Sequence, residues 1–172
     1  MNTRRQWLCL FVAISLFVVG LFHAACADDD GRKGRLAPVD NPVYAEACGA
    51  CHFTYQPGLL PSGSWEKILA GLDNHNGESI ELEPESKTAI MEYLSANAAE
   101  HSSAKRSVKI MKSLKAETPL RITDTPYIKK KHHELKDDIF KRESIGSRSN
   151  CPACHTTAKD GIYREKFVVI PD

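Results

Sequence analysis

Two stretches, Cys48-Gly49-Ala50-Cys51-His52 and Cys151-Pro152-Ala153-Cys154-His155, share the pattern Cys-x-x-Cys-His. Two residues between the cysteines, on a helical turn, space the sulfurs to add across the two vinyl groups of one haem. The next residue then lies beneath the iron, which makes His52 and His155 the proximal ligands. The chain holds six cysteines, and Cys9 and Cys26 fall in its N-terminal apolar segment. The other four, Cys48, Cys51, Cys151 and Cys154, all belong to the two motifs, so none remains for a structural disulfide. The pattern therefore predicts two covalently bound haem c groups. Two rivals use the same cysteines. Paired Cys-x-x-Cys motifs also hold structural zinc, but zinc gives no reason for a histidine after both pairs. Thiol exchange also uses Cys-x-x-Cys, but neither motif shows the strand-then-helix context of a thioredoxin-like site.

Upstream of the first motif, Arg4 and Arg5 precede an apolar run from Trp7 to Phe22, and Ala25-Cys26-Ala27 offers a small-x-small cleavage pattern. The run is shorter than the roughly 20 residues of a spanning helix. Residues 1–27 are therefore predicted to be a signal peptide, cleaved on export to the periplasm, with no stable membrane insertion afterwards. Residues 28–40, charged and glycine-bearing, are predicted to be a flexible leader. Removing 1–27 takes away Arg4 and Arg5 alone among the charges. With 23 Lys and Arg against 22 Asp and Glu overall, the remainder is close to neutral, and no field for nucleic acid survives.

Between the motifs the periodicity is helical. Asn41 followed by Pro42 reads as an N-cap and first helical position leading into Cys48. Pro57 to Ser64 reads as a loop, with Ser64 capping a helix that carries Trp65, Ile68, Leu69 and Leu72 on one face. Asn74-His75-Asn76-Gly77 is a turn. Pro84 opens the clearest helix, with Ile90, Tyr93, Leu94 and Ala98 at helical spacing. Lys105 to Lys115 is a short basic helix or connector, on which Lys105, Lys109 and Lys112 share one side, flanked by Arg106 and Lys115. The helical signal stops around Pro119 to Pro126. The tail beyond has few apolar anchors before the second motif and ends in the short apolar run Phe167 to Ile170, a strand or extended arm. The fold predicted is mainly α with extensive loops, in two small haem-binding halves, 41–120 and 121–172. The second half is too poor in apolar residues to bury a core without its haem.

The sixth iron positions have several candidates. Met91 and Met111 lie in hydrophobic stretches and read as packing residues, and His101, near a helix end, reads as solvent-facing. His75 sits in a turn, where irregular backbone can aim an imidazole into a pocket. His132 and His133 are adjacent, so one of them at most points at a given iron. The separation from 52 to 75 equals that from 132 to 155, which favours His132 without removing His133.

Further residues carry a resemblance. The stretch from Cys48 through Phe53-Thr54-Tyr55-Gln56-Pro57-Gly58-Leu59-Leu60-Pro61, then Ser64-Trp65 and Leu72-Asp73-Asn74-His75, resembles the dihaem cytochrome c family of bacterial periplasms. So do Arg121-Ile122-Thr123-Asp124-Thr125-Pro126-Tyr127, Lys131-His132, and Asn150 leading into the second motif. The resemblance runs from about Val43 to Pro171. It implies bis-histidine ligation with His75 and His132 as distal ligands, a first half similar to a class I cytochrome c, and a second half wrapped around its haem. It also implies electron transfer from a membrane cytochrome b-type donor to a soluble haem protein able to bind oxygen. Tyr127-Ile128 departs from the family, which often has two large aromatics there. A non-enzymatic electron relay is thus expected, with a small dihaem peroxidase or reductase, one iron left open, as the alternative. A dihaem subunit of periplasmic nitrate reductase fits less well, since its motifs lie much closer together.

Overall fold

Asn41 and Pro42 start the first helix as their chemistry dictates. In the computed structural model, which describes residues 34–172, helix α1 runs Pro42–Gly49 and the Asn41 side chain accepts from the Tyr44 N–H at 2.9 Å. The predicted signal peptide, 1–27, and residues 28–33 of the predicted leader lie outside the described residues. Helix α3 (Pro84–Ala96) packs on both α1 and α2 (Ser62–Ala70). Trp65, Leu69 and Leu72 face Leu60, Ile90, Leu94 and Ala98, with Tyr44 closing this first core. Each such large side chain stabilises the fold by roughly 1.5–3 kcal/mol when fully buried. The Trp65 indole N–H is satisfied by the Pro57 carbonyl at 2.9 Å.

Ser64 does not cap α2. The helix begins two residues earlier, Ser64 is buried in its first turn, and the Ser64 hydroxyl has no hydrogen-bond partner. The cap comes from far away in sequence: the Ser62 N–H donates to the Glu100 carboxylate at 3.0 Å, placing an anion at a helix N-terminus.

A second core forms around α4 (Lys105–Leu114), where Ile110 and Leu114 meet Leu36, Leu59 and Ala104. The approach is close, since Ser107 Oγ donates to the Gly58 carbonyl at 2.7 Å. A Cβ on Gly58 would lie 2.9 Å from that hydroxyl. Packed against this core are Ile122, Tyr127, Ile128 and Tyr163, from beyond the predicted boundary at 120. Helix α4 therefore serves both predicted halves, and residues 34–172 form one compact unit. The remaining helices are short: α5 (Pro126–Lys131), α6 (Asp137–Phe140) and α7 (Cys151–Cys154). Among the described residues there is no strand, only the isolated bridges His75–Glu78 and His155–Val168. The mainly helical, loop-rich architecture is as the sequence predicts.

The start of the described chain differs from expectation, whereas its end does not. Within the predicted flexible leader, Leu36 is buried and its N–H donates to the Gly161 carbonyl at 3.0 Å. Gly161 has φ +70°, and a Cβ there would stand 2.1 Å from the Leu36 carbonyl oxygen, so glycine makes the contact sterically possible. The apolar ending turns once at Glu165–Phe167 and then lies as an extended arm along the second motif, with the Val169 N–H donating to the Cys154 carbonyl at 3.0 Å.

Candidate haem sites

Each motif sits where a helical turn ends. Cys48 is in the last turn of α1 and Cys51 just beyond it, while Cys151 and Cys154 bound α7. The His155 N–H donates to the Cys151 carbonyl at 2.8 Å, which makes His155 the C-terminal cap of that turn. Burial pushes the Cys151 thiol up to about 11 and raises the Cys48 and Cys154 thiols as well. Reactive cysteines sit in surroundings that stabilise the thiolate, so these thiols do not suit exchange chemistry.

The distal side is built from turns. Asn76 and Gly77 both have positive φ, +57° and +99°, which gives the primed turn that Asn-Gly favours. The turn closes with the His75 N–H donating to the Glu78 carbonyl at 2.7 Å. Its tip is held from the other part of the chain, where Arg121 donates to Asn76 Oδ1 through Nε at 3.0 Å and Nη2 at 2.7 Å. His75 thereby faces His52, ring centres 6.1 Å apart. In the second site Thr125 caps α5, accepting from the Ile128 N–H, and His132 sits at the C-terminal end of that helix. His132 faces His155 with ring centres 6.0 Å apart.

Two imidazoles that bind one metal ion from opposite sides, each through a nitrogen at about 2 Å, have ring centres roughly 6 Å apart. Both pairs fit an iron between them. The ring nitrogens are suited to it as well. His52 Nδ1 lies 2.8 Å from the Phe53 carbonyl and His132 Nδ1 lies 2.9 Å from the Ile128 carbonyl. A carbonyl only accepts, so Nδ1 carries the proton and Nε2 is left as the free donor atom, the usual arrangement of a metal-binding histidine. Burial, with the nearby His132 and Arg106 charges, pushes His155 down to about 4, and burial with His52 lowers His75. Both therefore stay neutral, the form that binds metal.

The second pair lines an open cavity, with Cys151, Ile128, Phe140 and Tyr163 among its walls.

The other candidates point elsewhere. His133 is exposed and directs Nδ1 to the Lys130 carbonyl at 2.8 Å. His101 is exposed, Met91 packs on the first core and Met111 on the second. Among the described residues no group of three or more His, Cys, Asp or Glu side chains stands close enough to hold a metal ion, so the four cysteines do not form a zinc site.

Tyrosines join the two sites; Tyr55 is among the residues that carry the resemblance, but neither it nor Tyr163 is singled out by the sequence as a link between them. Tyr55 stacks on His52 with ring centres 5.2 Å apart, and its hydroxyl donates to the Ser149 carbonyl, beside the second motif, at 2.7 Å. Tyr163 lies edge-on to His155 at 5.3 Å and donates to buried Gln56 at 2.6 Å. Tyr55 and Gln56 follow the first motif within four residues, so only the folded chain shows that they reach the second.

The sequence pattern of the family described as dihaem cytochrome c matches residues 44–163. This chain belongs to the dihaem cytochrome c family. It is similar to a dihaem cytochrome c from Rhodobacter sphaeroides, at 39% identity over 74% of this chain and 99% of that one, with a TM-score of 0.65. It is also similar to a dihaem cytochrome c from Shewanella baltica OS155, at 32% identity over 76% of this chain and 93% of the other, TM-score 0.62. Comparison with curated proteins finds no match. As a dihaem cytochrome c, the chain carries two covalently attached haem c groups, on Cys48 and Cys51 and on Cys151 and Cys154. Cytochromes of this kind are generally electron carriers and work with redox partners. Among the described residues no helix is long and apolar enough to cross a membrane.

Proposed function

We propose that this dihaem cytochrome c is a periplasmic electron relay whose irons are held between His52 and His75 and between His155 and His132. The observation that carries the proposal is the pair of facing imidazoles at each motif, 6.1 and 6.0 Å apart. Haem supplies a one-electron couple at each site. The protein's part is to keep that couple from doing anything else. With an imidazole on both faces, neither site offers an open face to a small ligand, which favours the relay over a peroxidase or reductase with one open iron. The carbonyls of Phe53 and Ile128 fix the ring tautomers, so little has to rearrange as an electron arrives or leaves. Tyr55, touching His52 and the backbone beside the second motif, keeps the two sites neighbours within one unit.

The proposal extends to the organisation of the chain, on the strength of the cleavage pattern, the sparse apolar content of the tail and the family resemblance. Residues 1–27 direct export and are removed. The first haem then lies in a part similar to a class I cytochrome c, and the second haem completes a part too small to bury its own core. By family resemblance the donor is a membrane cytochrome b-type protein and the acceptor a soluble haem protein able to bind oxygen. Stopped-flow mixing of the reduced protein with such an acceptor tests the relay. Rapid oxidation of both haems without turnover of added peroxide is expected; steady peroxide consumption would replace the relay with the enzymatic alternative.

A further inference from the structure

The sequence groups Arg106 with the solvent-facing lysines of α4, and the structure turns it inward. Arg106 lines the second cavity with His132, His155 and Cys151. Its Nη2 donates to the Tyr163 carbonyl at 2.8 Å, and its guanidinium lies 4.9 Å from the Tyr163 ring centre and 5.9 Å from that of Tyr127. Two other cations line the cavity, and each has a carboxylate of its own: Arg148 pairs with Asp137, and Lys129 with Asp124 at 3.3 Å. Among the described residues no carboxylate pairs with Arg106. Desolvation is the main influence on its charge, and the groups that feel its field include Cys151 and His155. Burying a cation is costly unless other groups compensate, and two ring faces with one carbonyl compensate only in part. The chain has thus placed an unpaired positive charge against the space between His132 and His155.

We infer that Arg106 raises the reduction potential of the second haem. This rests on the assignment of the cavity to that haem. Reduction brings one electron to the site from an external one-electron donor, makes and breaks no bond, and lowers the net charge there by one. Arg106 favours the state of lower charge by direct attraction across a weakly screening interior. A fork that grips a carboxylate on the edge of the cofactor acts with the same sign, because it cancels negative charge beside the iron. Arg106 is a positioning and tuning residue; it binds no iron.

The test is an EPR-monitored redox titration, with dithionite and mediators, of the haem-loaded wild type, R106M, R106Q and R106K, each first weighed to count its covalent haems. In R106M and R106Q the reduction constant of the second haem is expected to fall about tenfold, or about 59 mV for one electron, with the first haem unmoved. R106K, which keeps the charge, is expected to recover at least half of that shift. If the second haem is unmoved in both charge-deleted variants, or falls as far in R106K, the inference is overturned and Arg106 serves only to brace Tyr163. R106Q, polar and of similar length, keeps the comparison open if R106M does not mature. A wild type with no haem on Cys151 and Cys154 would instead defeat the assignment of the cavity.

Discussion

The roles proposed for His75 and His132 rest on the backbone beneath them. A two-residue turn pinned by Arg121 aims the first, and the C-terminal end of α5 aims the second. Replacing His75 by Ala should convert one haem from low-spin to high-spin without releasing it, because the thioethers of Cys48 and Cys51 and the proximal His52 remain. Visible spectra before and after acid-acetone extraction check both halves of that outcome. The adjacent histidines separate in the same way. H132A should make the second haem high-spin, whereas H133A should leave both spectra unchanged, since His133 turns to the Lys130 carbonyl; the opposite result would exchange their roles. The haem-bearing thiols were legible because their spacing is itself the chemistry. The choice between His132 and His133 was not, because it depends on where α5 ends. Arg106 escaped for a related reason: which side of a short helix faces inward depends on what packs against it.

Among the elements, those whose start signals are local were readable. Asn41-Pro42, the Asn76-Gly77 turn and the periodic face of α3 formed as their residues require. Elements fixed by distant partners were not. Ser64 looked like a cap, yet Glu100 supplies the anion for that helix. Within the described part of the predicted leader, Leu36 is tied down because it meets Gly161 from far along the chain. That contact can be broken from either side. L36A removes a buried side chain and should cost about 2–5 kcal/mol. G161A puts a side chain into the left-handed region, about 1–2 kcal/mol, and drives its Cβ onto the Leu36 carbonyl. Thermal unfolding of the haem-loaded protein should show both variants melting lower, with the double variant losing less than the sum, since both disrupt one contact. Additive losses would mean that Leu36 and Gly161 stabilise the fold independently.

For the molecule as a whole, the two motifs and the sparse apolar content of the tail made a mainly helical dihaem protein legible. What they did not show is that α4, from the predicted first half, packs with Ile122, Tyr127, Ile128 and Tyr163 of the predicted second, because contacts with distant residues leave no mark on a helix's own periodicity. The exposed side of α4 carries Lys105, Lys109 and Lys112, and Lys129, Lys130 and Lys131 end α5 beside His132. With the protein close to neutral overall, these clusters are its candidates for steering an acidic redox partner. The bimolecular electron-transfer rate should then fall as salt rises, because exposed charges are screened over about 8 Å at physiological ionic strength. Stopped-flow rates at several salt concentrations check it, and a flat or rising profile would assign docking to apolar contact instead.

The central claim, two irons each closed by a pair of histidines, is tested most directly by the EPR spectrum of the fully oxidised protein. Imidazole planes that are nearly parallel split two iron orbitals, and planes that cross leave them nearly degenerate, which makes the low-spin signal far more anisotropic. The first pair has planes 32° apart and the second 81°. Two low-spin ferric signals of equal intensity are expected, one rhombic and one strongly anisotropic, with no high-spin signal. A high-spin signal amounting to one haem per chain would contradict the account, since it would mean that one iron keeps an open face.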